Sequence, residues 1–221
     1  MTIATHAWLL AGSDHLVRAE IERDFALLSR ADSGASIRTW ECAGHAVVLG
    51  VGQRLDREVC GAECTRLDVP VIRRASGGGA VVVGEGTLQY AIALRYDVDR
   101  ELESIPGSKR FCHRATVAAL EEAGVGATLH ADESGDLCVG DRKAAGVALK
   151  RTRTAMMLHG TILLDADLDA IASLLRHPQR EPGYRAGRPH RDFLVNLGAI
   201  NVARFTSALQ RWARSLSPAI R

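Results

Sequence analysis

A chain of 221 residues, 47% of them apolar, is long enough to bury a substantial core as a single domain. Its 28 Lys and Arg nearly balance its 26 Asp and Glu, and the net charge of +2 argues against a nucleic-acid-binding protein. The sequence has no apolar run near the roughly 20 residues of a membrane span, no secretory signal and an odd number of cysteines, so we predict a cytoplasmic protein without a membrane partner.

Four segments carry helical signals, in which a polar capping residue precedes apolar residues at helical spacing. The predicted helices run from Ser13 to about Leu28, from Ser108 to near Gly124, from Asp165 or Asp167 to Leu175, and onward from Asn201.

Strand predictions rest on short runs that are rich in β-forming residues. The predicted strands are 37–41, 46–51, 69–72, 80–83, 87–96 and 156–164. A hairpin is predicted from 136–139 and 144–149 with its turn at Gly140 and Asp141, and 178–189 is predicted to be an extended surface loop. Because strands and helices mix without regular alternation, we predict one α/β (α+β) domain over 1–221, with mixed, largely antiparallel sheets and flanking helices.

The most informative segment is Arg73-Arg74-Ala75-Ser76-Gly77-Gly78-Gly79-Ala80. We call Gly77 to Gly79 the glycine run. Without side chains, its backbone N–H groups can face an anion such as phosphate, and a neighbouring arginine adds a forked donor. A flexible hairpin turn is the alternative interpretation. The segment is neither a nucleoside-triphosphate phosphate loop nor a dinucleotide fingerprint, because the residues and the element that follow it differ from both.

Two further segments carry candidate chemistry. Lys143 lies in a predicted strand–turn–strand among small residues, where its ammonium group can bridge a carboxylate and an α-phosphate. The alternative for Lys143 is a solvated hairpin lysine. His159, followed by Gly160 and Thr161, lies in an apolar strand and is either a satisfied core residue or an acid–base group.

The ordered set of segments resembles the lipoate–protein ligase family. The resemblance covers about residues 10–215, and its individual motifs are weak whereas their order and spacing are specific. The matching positions are Trp40, Val48 to Gly50, Gln53, Arg73 to Val81, Asp136-Leu137, Gly140 to Ala148, His159 to Leu164, Asp167-Leu168 and Arg185 to Leu197.

The resemblance implies a fold shared with the catalytic domain of biotin–protein ligases. It also implies ATP-dependent adenylation of lipoate or octanoate and transfer of the acyl group to a lysine of a lipoyl domain or H-protein. By position, Lys143 is the expected catalytic residue, contacting the acyl carboxyl oxygen and the phosphate, and Asp136 is expected to place Mg²⁺. The expected nucleotide-binding residues, besides Lys143, are Arg74, Gly79, Ala80, Val81 and Val82. The expected acyl-binding residues, besides Lys143, are Ser76, Gly77, Gly78, Gly146, Ala148, His159 and Gly160.

Two departures from the family leave alternatives open. Many relatives carry His-Asp-x-Gly-Asn where this chain has Val83 to Thr87, which suggests a non-catalytic acyl-binding subunit as one alternative. The sequence also ends without the C-terminal accessory domain of larger relatives, so a separate accessory subunit is expected unless this branch works without one. A second alternative is an octanoyltransferase, fed by octanoyl carrier protein, in which Cys138 forms a thioester. Cys60 and Cys64 have no second ligand pair and do not predict a zinc site.

Overall fold

The computed structural model describes residues 14–31 and 34–216. Its α-helices are α1 (Asp14–Arg30), α2 (Leu55–Glu58), α3 (Gly61–Arg66), α4 (Ile105–Glu122), α5 (Leu168–Leu174), α6 (His190–Phe193) and α7 (Val202–Leu216). Its strands are β1 (Ser36–Glu41), β2 (Ala46–Leu49), β3 (Val71–Arg73), β4 (Val81–Val83), β5 (Thr87–Arg95), β6 (Leu129–Ala131), β7 (Leu137–Val139), β8 (Arg142–Arg151) and β9 (Ala155–Leu163).

The larger sheet has the strand order β1-β5-β9-β8-β7-β6, and every neighbouring pair in it is antiparallel. Side chains alternate between its faces, as the pleat requires. On one face, Leu88 and Ile92 of β5 belong to the main core with α4 and α7. On the other face, Ala91 and Ala93 of β5 pack with residues of α1. Helices therefore cover both faces of β5.

The smaller sheet has the order β3-β2-β4, with β2 parallel to β3 and antiparallel to β4. Val47 and Leu49 of β2 belong to a second core with residues of α5 and α6. Val48, which points the opposite way, packs in a third core with Ile21 of α1. The predicted fold class, mixed and largely antiparallel sheets with flanking helices, is confirmed.

Helix boundaries follow their capping residues, which the sequence identified in two of four cases. Asp167 accepts hydrogen bonds from the first turn of α5, and Asn201 accepts one from Arg204 N in α7, as predicted. The predicted cap at Ser108 is wrong, because Ser104 caps α4 and Ser108 lies inside the helix. The predicted cap at Ser13 lies outside the described residues.

Several short elements differ from the sequence predictions. The segments α2, α3 and β6 were not predicted, because runs of three to six residues carry too little periodicity to be recognised. The β7–β8 hairpin turns at Gly140 with φ of +57°, as predicted. The segment 178–189 lies at the surface without helix or strand apart from a 3₁₀ turn, Gly183–Arg185, whose last residue is buried, a feature that the loop prediction did not contain.

Candidate functional site

A cavity of about 330 Å³ lies against the face of the larger sheet that carries small and polar side chains. Its floor is formed by one face of β5, β8 and β9, and the glycine run and α1 contribute to its walls. The floor residues are Gln89, Gly146, Ala148, His159 and Thr161. Small residues on these strands leave the space that larger side chains would fill.

The glycine run folds over the small sheet because Gly50 lets it approach. Val51 N donates to the carbonyl oxygen of Ser76 at 2.9 Å, and a methyl group at Gly50 would collide with the carbonyl oxygen of Gly78. Gly78 has φ of +86°, which favours glycine. Added methyl groups at Gly77 and Gly79 would meet nothing within 4 Å, so the space beside these two residues is open.

Arg74 is buried, and its guanidinium donates hydrogen bonds to backbone carbonyl groups of the protein. Its guanidinium donates to the carbonyl oxygens of Val48 at 3.1 Å, Gly77 at 2.6 Å and Gly79 at 2.8 Å. Burial lowers the pKa of Arg74 to about 10, so it stays charged at neutral pH. Through these hydrogen bonds Arg74 stabilises the conformation of the glycine run. Direct contact between Arg74 and a nucleotide stays a prediction.

Ser76 joins the glycine run to the floor of the cavity. Its hydroxyl group lies 2.6 Å from Nε2 of His159 and accepts a hydrogen bond from Arg74 Nε at 3.0 Å. The imidazole also meets the ring of Phe25 edge-on, with 5.6 Å between centroids. Burial, together with the nearby charge of Arg74, lowers the pKa of His159 to about 3. His159 is therefore a neutral, hydrogen-bonded residue of the floor. We call this part of the cavity the serine end.

Lys143 lies at the other part of the cavity, which we call the lysine end. Its Nζ is 2.9 Å from Oδ1 of Asp136, and Tyr184 Oη donates to Oδ2 of Asp136 at 3.0 Å. A methyl group at Gly146 would lie 2.7 Å from Lys143 Nζ, so glycine at this position makes room for the ammonium group. Lys143 lines the same cavity as Gly78 and Gly79 of the glycine run.

Four further predicted site residues line the cavity. Ala80, Val81 and Val82 follow the glycine run into β4 and line the cavity. Gly160 also lines it, but its missing side chain makes room for Tyr90 on the opposite face, where a methyl group would lie 2.6 Å from Tyr90 Cε1.

Cys138 is fully buried and lies opposite Lys143 in the β7–β8 ladder. Burial raises the pKa of its thiol, which disfavours the thiolate that a nucleophile needs. The environment of Cys138 is that of a small core residue.

Sequence reasoning missed Tyr184, Arg185 and His190, which line the cavity or touch its ion pair. Their segment is held at the lysine end by a hydrogen bond from Val195 N to the carbonyl oxygen of Lys143 at 2.9 Å. The matched stretch Arg185 to Leu197 was the available signal, but it carried no expected role. Within residues 14–31 and 34–216, no cluster of three metal-ligating side chains is present.

Comparison with solved structures defines the class of fold. A chain from a bipartite lipoate protein ligase of Thermoplasma acidophilum, analysed with its E2 lipoyl domain, superposes with a TM-score of 0.73 and 21% identity, covering 90% of this chain and 78% of that chain. A lipoate-protein ligase A bound with ATP superposes with a TM-score of 0.72 and 21% identity, covering 90% and 80%. The fold is that of lipoate–protein ligases.

The sequence comparisons give the family. Residues 18–211 match the model of the lipoyl protein ligase A/B catalytic domain, and the chain belongs to this family. Lipoate–protein ligase 1 of Staphylococcus aureus is 31% identical over 130 residues, which are 59% of this chain and 38% of that protein. The chain matches 34% to 43% of the length of the curated relatives it resembles.

Proposed function

We propose that this chain is an ATP-dependent lipoate–protein ligase that adenylates lipoate or octanoate and then transfers the acyl group to a lysine of a lipoyl domain or H-protein. The observation that carries the proposal is the shared cavity of Lys143 and the glycine run. A cation and a bare backbone at one cavity suit an acyl chain joined to a phosphate. Membership of the family and the names of its relatives support this assignment.

In the first step, a carboxylate oxygen of the acid attacks the α-phosphorus of ATP. A carbon–oxygen–phosphorus link forms, the bond between the α-phosphorus and the bridging oxygen breaks, and pyrophosphate leaves with that oxygen. Negative charge grows on the phosphate oxygens, and the ammonium group of Lys143 is positioned to stabilise it. In the second step, the acceptor amine attacks the acyl carbonyl carbon, AMP leaves, and the nitrogen loses a proton.

The cavity suggests where each part of the adenylate lies. The acyl tail fits the serine end, between Ala148 and His159 on the floor and the segment Ser76 to Gly78, and its carboxyl end lies toward Gly146 and Lys143. The phosphate fits beside Lys143 and the open backbone of Gly79. The backbone of Ala80, Val81 and Val82 continues from there toward the nucleoside.

Asp136 is the carboxylate beside Lys143 and therefore the candidate Mg²⁺ ligand. A carboxylate has about four lone-pair sites, so contacts with Lys143 and Tyr184 leave room for a metal bond. Mg²⁺ commonly binds through one or two carboxylates, with phosphate oxygens and water completing its shell. When bound, the ion would neutralise phosphate charge.

The proposal also covers organisation and partners. We treat residues 1–221 as one catalytic domain whose acceptor is a lipoyl domain or H-protein, with a separate accessory subunit as a possible requirement. The bipartite ligase of Thermoplasma acidophilum, described with its E2 lipoyl domain, supports both partners. All five cysteines are free thiols, in keeping with a reducing cytoplasm. The described residues contain no helix long and apolar enough to cross a membrane.

The direct experiment is incubation with ATP, Mg²⁺, lipoate and an acceptor lipoyl domain, with and without a candidate accessory subunit. We expect lipoyl-adenylate and a lipoyl mass gain on the acceptor by mass spectrometry. Replacement of lipoate by octanoate reports the preferred acid. Acyl transfer from octanoyl carrier protein without ATP would instead support the transferase, and tight lipoate binding with no turnover under any partner condition would support a binding subunit.

A further inference from the structure

Arg185 is a buried cation in the wall of the cavity. It is 3% exposed, and it closes the 3₁₀ turn Gly183–Arg185. Its Nε donates to the carbonyl oxygen of Arg188 at 2.9 Å and lies 3.4 Å from Oε2 of Glu181. The guanidinium also stacks over the ring of Phe193, with 4.7 Å from Cζ to the ring centroid. These contacts fix the plane of the guanidinium.

One hydrogen-bond donor of this guanidinium is unused. Nη2 of Arg185 is buried and has no hydrogen-bond partner. A buried, unpaired donor is unfavourable, and in native structures such groups are rare. Arg185 also lines the cavity, so a ligand acceptor that reached Nη2 from this side would restore the missing hydrogen bond.

Arg185 is connected to the lysine end of the cavity through the residue that precedes it. The preceding residue, Tyr184, donates to Asp136, and Asp136 pairs with Lys143. His190 lies within electrostatic reach of both Arg185 and Lys143. Arg176 and Arg180 line the same cavity.

The charges that line the cavity favour one kind of ligand. Six cationic and three acidic side chains line the whole cavity. The cationic residues are Arg74, Lys109, Lys143, Arg176, Arg180 and Arg185, and the acidic residues are Asp24, Glu58 and Asp136. An excess of positive charge favours an anion with several charges over a single carboxylate. A guanidinium with a fixed plane suits phosphate oxygens in particular.

We propose that Arg185 binds the terminal phosphates of the nucleotide and then the departing pyrophosphate, while Lys143 serves the α-phosphate. This assignment rests on the proposed adenylation of lipoate. It adds a second cationic residue, located in a segment distinct from the β8 position of Lys143. Arg185 then acts on the part of the nucleotide that is absent from AMP and from the acyl-adenylate.

The test compares ligands that have and lack the terminal phosphates. Dissociation constants of ATP, inorganic pyrophosphate and AMP are measured by calorimetry for the wild-type chain, Arg185→Ala and Arg185→Lys. We expect Arg185→Ala to weaken ATP and pyrophosphate binding at least about tenfold, since hydrogen bonds to charged groups carry such an effect. AMP binding stays within about twofold. Arg185→Lys lies between wild type and Arg185→Ala because it keeps the charge and loses the fork.

Arg191→Ala is the matched control, since Arg191 is exposed and pairs with Asp169 on the surface. It removes the same charge from the same segment and should leave all three constants unchanged. Should Arg185→Ala fail to fold, Arg185→Lys alone decides, with a loss for ATP and pyrophosphate but not for AMP. Equal losses for AMP, or no loss for pyrophosphate, would overturn the assignment.

The two proposals fail in different ways. A wild-type chain that binds pyrophosphate through Arg185 but never forms lipoyl-adenylate contradicts the ligase activity and leaves the anion site standing. A chain that forms lipoyl-adenylate with the same KM for ATP in wild type and Arg185→Ala contradicts the role of Arg185 alone.

Discussion

The two ends of the cavity differ in how completely their polar groups are hydrogen-bonded. At the serine end, polar groups satisfy one another: Ser76 with His159, Thr161 with Gln89, and Arg74 with the carbonyl oxygens of the glycine run. At the lysine end, the ion pair of Lys143 is partly exposed to solvent, and a donor of Arg185 is unused. Hydrogen-bonded groups give the serine end a fixed shape, which suits an acyl tail. The partly exposed ammonium group of Lys143 and the unused donor of Arg185 keep binding capacity for phosphate.

The difference shows that burial of polar residues does not by itself mark chemistry. Arg74 and Arg185 are both buried cations that line the same cavity. The donors of Arg74 are directed at backbone carbonyls, whereas Nη2 of Arg185 has no partner. The number of unused donors therefore separates the two roles better than exposure does.

The largest expected effect comes from removing the ammonium group at the lysine end. We expect Lys143→Ala to slow lipoyl-adenylate formation by about 10²–10³-fold, the usual loss when one group that stabilises developing charge is deleted. Lipoate binding should weaken much less than the rate falls, because the acyl tail at the serine end keeps its contacts and only the carboxylate loses Lys143. Single-turnover kinetics and calorimetry measure the two quantities.

Lys150→Ala is the control for that substitution, because Lys150 lies on the same strand outside the cavity lining. If Lys143→Ala adenylates lipoate at the wild-type rate, the lysine end is not the reacting end.

The serine end can be disturbed through its backbone. Gly50→Ala places a methyl group against the carbonyl oxygen of Gly78, so we expect a loss of about 1–3 kcal/mol in the free energy of unfolding, together with weaker lipoate binding. Gly52→Ala meets no atom within 4 Å and should be nearly neutral. Urea unfolding and calorimetry check both variants. Equal stabilities for the two variants would show that the glycine run does not rest on Gly50.

The neutral state of His159 predicts a pH dependence of stability. The unfolded chain takes up a proton near pH 6.5, whereas folded His159 resists protonation down to about pH 3. The free energy of unfolding therefore falls as pH decreases through this window. Between pH 7 and pH 5 we expect His159 to account for a loss of about 2 kcal/mol. Urea unfolding of His159→Gln should show a correspondingly flatter profile, and parallel profiles would mean that His159 is protonated in the folded chain.

The smallest effect is expected at the buried thiol beside the lysine end. Cys138→Ala should keep adenylation and transfer within about twofold of wild type, because a buried thiol with a raised pKa is a poor nucleophile. The same reaction mixtures measure it. Loss of acyl transfer in Cys138→Ala, with a trapped thioester in the wild-type chain, would instead assign the lysine end to a transferase.

Sequence reasoning found the parts of the site that are encoded locally. The glycine run and Lys143 stand out because glycines between strands and a lysine among small residues are unusual by themselves. Tyr184 and Arg185 could not be found in this way, since their segment, with Pro182, Gly183 and Gly187, has the composition of a loop. Tyr184 reaches the site through a hydrogen bond to Asp136, and Arg185 is buried against the ring of Phe193. No local sequence pattern contains either contact.

The elements of the fold also divide into those that local sequence patterns predict and those that they do not. Long strands such as β5 and β9, and the caps Asp167 and Asn201, follow from periodicity and capping chemistry. The predicted start of α4 at Ser108 is four residues too late, because a serine before a helical pattern does not by itself identify the cap. In the structure Ser104 accepts a hydrogen bond from Gly107 N, while Ser108 donates to Leu102 O.

The most direct test is a crystal structure with a non-hydrolysable lipoyl-adenylate analogue. The predicted result is an acyl chain lying between the glycine run and His159, with Lys143 Nζ within hydrogen-bonding distance of the acyl carbonyl oxygen and a phosphate oxygen. An adenylate bound outside this cavity, or bound in it with Lys143 directed away from the acyl–phosphate junction, would contradict the proposed site.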